Sequence, residues 1–297
     1  MDSRNDVREF LATRRARITP QEAGLATYGR RRVPGLRREE VAMLAGVSTD
    51  YYARLERGNL AGVSDSVLEA IAGALHLDEA ERAHLYDLAR VANATPRSRR
   101  RPTGRQVRPG VQRVLDGMTA LPAIVLNGRL DLLAANPLGC ALYSPAYADS
   151  TRPVNLGRFA FLNPQATALY SNWDEAANTT VAMLRTEAGR NPYDRELSDL
   201  IGELSTRSET FRDRWAAHNV RLHRTGAKRF HHPAVGDLNL TFEVMELSAD
   251  TGLTLTAYSA EPDTPSHDGL TLLASWAVTV DHAEPERHGQ VVANSPT

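Results

Sequence analysis

Residues 36–58 read LRREEVAMLAGVSTDYYARLERG, and this stretch decides the fold of the first part of the chain. Its apolar residues recur at the spacing of one helix face, at Leu36, Val41, Leu44 and Ala45. Gly46 can take the left-handed backbone that ends a helix, and Ser48 is a good N-cap for a second helix that ends near Gly58. Two short helices across a very short turn are the geometry of a helix-turn-helix.

Three further amphipathic stretches flank this pair of helices, at residues 5–17, 65–77 and 78–92. Glycine and proline interrupt the pattern between residues 18 and 36, where a cluster of three arginines, Arg30, Arg31 and Arg32, is expected to be exposed. That segment could be a solvated loop or a loop that contacts phosphates. The pattern predicts a five-helix, all-α domain over residues 1–95.

The segments LRREEVAMLAGVS at 36–48 and RLERG at 54–58 resemble the XRE, or Cro/CI-like, family of DNA-binding domains at nearly every position. The resemblance implies binding to duplex DNA, with the second helix of the pair in the major groove. Arg37 and Arg38 depart from the commoner Ser-Gln opening. Because that glutamine often helps to anchor a phosphate, Arg38 is expected to make a charge-assisted contact in its place.

The predicted DNA-binding residues lie around the second helix and in the two basic segments: Ser48, Thr49, Asp50, Tyr51, Arg54, Arg37, Arg38, Arg30, Arg31 and Arg32. Arg54 could bond guanine, Asp50 could accept from cytosine, and Thr49 or Tyr51 could touch a thymine methyl. An alternative stays open for each of them. Asp50 also stabilises a helix dipole without DNA, Tyr51 could only cap the core, and Arg54 could contact a phosphate.

Charge is shared unevenly along the 297 residues. Residues 1–110 carry 20 arginines and 14 acidic residues, whereas residues 111–297 carry 15 basic and 22 acidic residues, so net charges of +6 and −7 give −1 overall. A basic module joined to an acidic one is typical of a nucleic-acid-binding domain attached to a second domain. Residues 96–110, rich in Arg and Pro, predict a basic linker between the two domains.

Composition and missing motifs exclude several classes of protein. A 42% hydrophobic share with 24% charged residues is that of a globular chain. The start is charged and no long apolar run follows, which predicts a cytoplasmic protein without a membrane partner. Cys140 is the only cysteine, and the histidines 218, 223, 231 and 232 fit no standard spacing, so no disulfide and no metal site are expected. Nucleotide-binding and hydrolase motifs are missing, so we expect neither an enzyme nor a cofactor.

Beyond residue 110 the pattern predicts strands on either side of a helical block. Strands are predicted at residues 122–127, 130–135, 228–232, 237–247 and 253–259. Helices are predicted at residues 111–118, 137–143, 164–171, 174–189, 194–205, 208–219 and 270–276. This order predicts an α+β domain over residues 111–278, followed by a disordered polar tail at 279–297.

Four segments of this second part resemble the MmyB-like ligand-binding domain of actinobacterial regulators: VLNGRLDLLAAN at 125–136, NLGRFAFL at 155–162, FRDRWAAHNV at 211–220 and GAKRFHHP at 226–233. The resemblance also covers GRRRVPGLRREEVA at 29–42, so it spans nearly the whole chain. It implies a PAS-like sensor that holds a small apolar or acyl molecule. Ala135 departs from the tryptophan of many relatives, so a pocket beside Asn136 is expected to be wider or differently filled.

The predicted ligand-binding residues combine apolar walls with a few polar groups: Asn136, Arg158, Phe161, Trp215, His218, Phe230 and Tyr258. Thirteen of the 18 aromatic residues lie beyond residue 110, which suits either a large core or an apolar cavity. We therefore expect a sequence-specific transcription regulator that binds an operator as a homodimer and senses a small ligand. In the alternative, the second domain serves only self-association or a protein partner, and no ligand exists.

Overall fold

The structure is a computed structural model, and it describes residues 3–25, 33, 35–93, 107–148, 153–217 and 224–283. The first part of the chain forms five helices within these ranges: α1 (Ser3–Arg17), α2 (Arg38–Leu44), α3 (Thr49–Glu56), α4 (Asp65–Ala74) and α5 (Glu79–Asn93). This confirms the predicted helical domain. Its core is built from the apolar faces of all five helices, with Phe10, Leu36, Tyr52, Leu68 and Leu85 buried at its centre.

Local signals place the pair α2 and α3 as predicted. Gly46 takes a φ of +66°, which lets the chain reverse after α2. The Ser48 hydroxyl oxygen accepts a hydrogen bond from the Tyr51 N–H at 3.1 Å and so caps α3. The inward orientation predicted for Leu44 is wrong, because Leu44 is exposed at the end of α2, whereas Ala45 is buried.

The second part adds nine helices and five strands within the described residues. The helices are α6 (Pro109–Gly117), α7 (Pro137–Leu142), α8 (Ser144–Tyr147), α9 (Leu156–Leu162), α10 (Gln165–Leu169), α11 (Trp173–Arg190), α12 (Arg195–Arg207), α13 (Glu209–Ala216) and α14 (Pro265–Ala283). The strands are β1 (Ala123–Asn127), β2 (Leu132–Ala135), β3 (Thr225–His232), β4 (Gly236–Glu246) and β5 (Leu253–Ser259). The α+β class is confirmed. Helices α8 and α9 were not predicted, and α14 is longer than predicted, since it ends inside the segment predicted to be a disordered tail.

The five strands form one antiparallel sheet in the order β2-β1-β5-β4-β3. Side chains alternate between its faces. On one face Val125 and Leu255 pack against Val111 and Leu115 of α6. The opposite face carries aromatic side chains from the edge strand β3 and the inner strand β5, and these belong to the candidate ligand site.

The chain forms two compact units whose limits differ from a simple division into halves. The first unit contains residues 1–102 together with 178–222, and the second contains residues 103–177 together with 223–297. The division therefore falls inside α11. The sequence predicts a single domain over residues 111–278. In the structure the helical block between β2 and β3 is instead divided between the two units.

Within the first unit, the C-terminal part of α11 packs closely on α5 and lies within electrostatic reach of α1. A Cβ atom on Gly189 would lie 2.6 Å from the Cε1 atom of His84, so a larger residue there would force the His84 ring to move. Arg190 Nε lies 3.3 Å from the Asp87 carboxylate of α5. Burial lowers the pKa of Arg185 to about 10, and the carboxylates of α1 partly oppose this shift. These contacts place the C-terminal end of α11 against α5 in the first unit.

Candidate functional sites

The start of α3 presents an exposed polar surface. Thr49, Asp50 and Arg54 are exposed, and Tyr51 is partly buried against the core of the first unit. The guanidinium carbon of Arg54 lies 4.7 Å from the centre of the Tyr51 ring. Stacking on the ring limits the orientations of the guanidinium while leaving its N–H edge available to a planar partner such as a guanine base.

Helices α1, α2 and α3 are joined by a buried carboxylate that the sequence analysis missed. Glu56 is 1% exposed, and its Oε1 atom accepts from Arg15 Nε at 3.0 Å and from Arg15 Nη2 at 2.8 Å. Its Oε2 atom accepts from Arg38 Nε, and this contact raises the pKa of Arg38. Arg15 also donates to the Leu36 carbonyl at 2.8 Å. The network fixes the position of α3 on the scaffold.

The remaining predicted DNA-binding residues differ in their surroundings. Arg38 is half-exposed and pairs with Glu56, so its predicted phosphate contact would share the guanidinium with that carboxylate. Arg37 is exposed and lies 3.2 Å from the Glu39 carboxylate. The predicted basic cluster at residues 30–32 lies outside the described residues.

Four aromatic rings meet on the inner face of the sheet in the second unit. Phe230 of β3 lies 5.8 Å from Tyr258 of β5, 5.9 Å from Tyr143 after α7 and 5.9 Å from Tyr170 after α10, measured between ring centroids. The hydroxyl groups of Tyr143 and Tyr258 are hydrogen-bonded at 2.6 Å. Burial raises the pKa of Tyr143 and Tyr170, and it raises that of Tyr258 to about 12. All three phenols are therefore neutral at physiological pH.

Lys228 is half-buried, with its stem partly open to solvent and its amine extending into this aromatic cluster. It precedes Phe230 by two residues on β3 and so lies on the same face of the sheet. Its Nζ atom lies 4.5 Å from the centre of the Tyr170 ring, 5.4 Å from Phe230 and 5.9 Å from Tyr143. Burial of the amine lowers its pKa to about 8. No carboxylate among the described residues forms a salt bridge with it.

Asn136 is one of the residues that sequence reasoning assigned to a ligand, and its hydrogen bonds are taken up by the chain itself. Its Oδ1 atom accepts from the backbone N–H groups of Ala123 at 3.0 Å and Gly139 at 2.7 Å. Its Nδ2 atom donates to the carbonyls of Met118 at 2.5 Å and Leu121 at 2.7 Å. With two donors and two acceptor sites filled, Asn136 has no hydrogen-bonding capacity left for a ligand.

Of the predicted ligand residues that the structure describes, Phe230 and Tyr258 lie together in the aromatic cluster. Phe161 instead packs edge-on against Trp173 at 5.9 Å. Arg158 is partly buried in the first turn of α9, where its backbone N–H donates to the Asn155 side chain. Their proposed contacts with a ligand remain predictions.

Trp215 belongs to the first compact unit, whereas Phe230 and Tyr258 belong to the second. Its ring stacks on Phe211 at 5.6 Å, and its centre lies 4.0 Å from the guanidinium carbon of Arg185. This packing gives Trp215 a role in holding α13 against α11. The last of the predicted ligand residues, His218, lies outside the described residues.

Sequence reasoning missed Lys228, Tyr143 and Tyr170. One signal for Lys228 was available, because it is the only lysine among 35 basic residues and shares the strand face of Phe230. The two tyrosines follow helices of fewer than seven residues, and only the tertiary fold places them on the sheet.

Two other classes of site are absent from the described ranges. No group of three or more His, Cys, Asp or Glu side chains is arranged there to hold a metal ion. No helix in those ranges combines the length and the apolar character that a membrane crossing requires.

Two family models match the chain. The model of the MmyB-like transcription regulator ligand binding domain matches residues 107–273, which is more than half of the chain. The model of a helix-turn-helix domain matches residues 7–85, which include most of α1, all of α2 to α4 and part of α5. A comparison with curated proteins found no match.

Proposed function

The chain belongs to the family of transcription regulators with an MmyB-like ligand-binding domain, and we propose that it binds one operator sequence and changes its affinity for it when a small molecule is bound. The regulator acts in the cytoplasm as a homodimer. Each copy supplies one helix-turn-helix for one half-site, and related dimers contact two half-sites about one helical turn apart.

The observation that supports specific DNA binding is the surface of α3. Its N-terminal turns expose Thr49, Asp50 and Arg54, and the buried Glu56 joins its C-terminal end to α1 and α2. A helix that is held rigidly and exposes hydrogen-bonding side chains at its N-terminal end can contact base edges in the major groove. The net charge of +6 over residues 1–110 adds attraction to phosphates.

Replacement of Arg54 tests this assignment. Arg54→Ala is expected to weaken binding to the operator by about 1–3 kcal/mol, because a bidentate contact with guanine is lost, and to leave binding to random DNA nearly unchanged. Fluorescence anisotropy with both DNAs, at fixed salt, measures the two affinities. Arg57→Ala, at the exposed C-terminal end of the same helix, is the matched control and is expected to change the two affinities equally. Equal losses for Arg54→Ala would assign Arg54 to a phosphate.

The observation that supports ligand sensing is the aromatic cluster around Lys228, which lies within the residues matched to the ligand-binding domain. Aromatic walls with few polar groups are typical of sites for small apolar molecules, including acyl compounds. Such a ligand changes operator affinity only if it binds two arrangements of the protein with different affinity.

Native mass spectrometry of the full chain, purified from its own or a related host, tests the sensor. A small molecule retained in stoichiometric amount and released on denaturation is expected, together with the mass of a dimer. Adding the released molecule back to stripped protein should then change the affinity for the operator. A dimer that retains nothing, and whose operator affinity does not respond to host extract, would contradict ligand sensing.

A second candidate function for the acidic part is self-association without a ligand. Leu272 and Trp276 lie one turn apart on α14, and they are 62% and 37% exposed. An exposed apolar stripe on a helix favours contact with another protein surface. Replacing both residues by glutamine would separate the candidates, because a dimer held by α14 would dissociate while retained ligand would stay bound.

A further inference from the structure

Lys228 stands apart in the composition of the chain. The other 34 of its 35 basic residues are arginine, including those with exposed and buried guanidinium groups. Arginine binds anions well, through a planar and permanently charged fork of N–H groups. A primary amine offers one property that the guanidinium lacks, because it can lose its proton near neutral pH and act as a nucleophile.

The surroundings of the amine favour that neutral form. Its Nζ atom lies among the rings of Tyr143, Tyr170 and Phe230, and no carboxylate of the described residues pairs with it. Burial lowers the pKa of Lys228 to about 8. At pH 7.4 about a fifth of such amines are neutral, against about one in a thousand for a solvated lysine.

We propose that Lys228 is the covalent attachment point of the ligand, and that the ligand is an apolar molecule with an aldehyde or ketone group. This rests on the proposed sensing function and names the class of molecule that is sensed. The aromatic rings bind the apolar part of the molecule, and the amine forms an imine with its carbonyl carbon.

The reaction needs no oxidant or reductant. The lone pair of the neutral amine attacks the carbonyl carbon, a C–N bond forms, and the carbonyl electrons and a proton from nitrogen give a carbinolamine hydroxyl. That hydroxyl takes up a proton and leaves as water while nitrogen loses its second proton, so the products are a C=N bond and one water molecule. Since water reverses the reaction, the rings packed around the amine favour the imine by limiting the access of water to it.

The experiment treats the full-length protein with octanal and sodium cyanoborohydride, which reduces an imine to a stable secondary amine. Peptide mass mapping is expected to find one octyl group on Lys228. Mapping separates this label from any on the N-terminal amine. Lys228→Arg and Lys228→Met cannot carry the label at position 228. These two variants test a different point, namely whether the protein without this amine keeps its near-ultraviolet circular dichroism and its operator binding.

The matched control moves the amine by one residue. The double variant Lys228→Arg, Arg229→Lys carries its only lysine on the exposed face of the same strand. Because a solvated amine is far less often neutral, we expect the amine at position 229 of this variant to be labelled about tenfold or more slowly than Lys228 of the wild type at pH 7.4. Equal rates at the two positions would overturn the proposal.

Octanoate and octanol complete the test. If octanoate protects the wild type against thermal unfolding more than octanal does, and Lys228→Arg keeps that protection, Lys228 pairs with an anion and the imine is overturned. Octanol has the same chain but neither a carbonyl nor a charge, so equal protection by octanol and octanal would also overturn the imine.

A retained host molecule that lacks a carbonyl but changes operator affinity would overturn the imine and leave the sensor intact. Rapid octyl labelling of Lys228 without any effect on operator affinity would support the imine and contradict the sensor.

Discussion

Replacing Asn136 by leucine is expected to lower the free energy of unfolding by about 3–5 kcal/mol. The side chain is 1% exposed and satisfies four backbone groups at the junction of α6, β1 and α7. Leucine has a similar volume but removes the partner of two buried N–H groups and of two part-buried carbonyls. Each buried group left unsatisfied costs about 1–3 kcal/mol, and the carbonyls cost less because water reaches them. Urea unfolding followed by circular dichroism, with linear extrapolation to water, measures the loss.

Asn163→Leu is the matched control for this substitution. Asn163 accepts one hydrogen bond, from the Gln165 N–H at the start of α10, so its loss should cost only about 1 kcal/mol. If Asn136→Leu instead kept its stability within about 1 kcal/mol and lost a retained ligand, Asn136 would be the ligand residue that the sequence suggested.

Removing the charge of Glu56 is expected to have a comparable effect in the first unit. Glu56→Gln keeps the shape of the side chain but leaves Arg15 without the carboxylate that it contacts through two nitrogen atoms. Breaking one side of a fully buried ion pair costs about 3–5 kcal/mol. Arg15 and Arg38 are 17% and 56% exposed, so solvent offsets part of this loss and we expect about 2–3 kcal/mol. The unfolding free energy, measured in urea at pH 7, should fall by that amount relative to the wild type. The difference between the two proteins should be nearly the same in 1 M NaCl, since buried pairs are screened little by salt.

The control for Glu56→Gln is Glu39→Gln, which removes an exposed carboxylate on the neighbouring helix. Glu39 pairs with Arg37 at the surface, where such pairs contribute about 0–1 kcal/mol. Similar small losses for both variants would mean that solvent relaxes around Glu56 and that other contacts hold α3. Operator affinity, measured without denaturant, adds a second readout. If α3 is loosened in Glu56→Gln, the variant should lose specific affinity before its helical circular dichroism falls.

Local chemistry explains what the sequence could predict. Gly46 and Ser48 act on their immediate neighbours, so the turn and the start of α3 follow from residue type alone. The strand positions beside Gly128 likewise follow from local alternation and a turn. The same local logic was wrong for Leu44, because helical spacing predicts a face but not how far the core extends beneath the last turn.

Contacts between distant residues explain what the sequence could not predict. Glu56 pairs with Arg15 across 41 positions, and a lone glutamate beside Leu55 is ordinarily assigned to the surface. The aromatic cluster requires Tyr143 and Tyr258, 115 positions apart, to meet across the sheet. Trp215 was assigned to a ligand on its residue type, whereas its neighbours Phe211 and Arg185 give it a packing role.

The packing of α11 on α5 also sets an order of events during protein synthesis. His84 and Asp87 meet Gly189 and Arg190, about a hundred residues later in the chain. The ribosome therefore releases the five DNA-binding helices well before the helices that cover them exist. A nascent or truncated chain that ends near residue 95 would display a bare α1 and α5 surface. Folding of the first unit is therefore completed only after translation has passed α13.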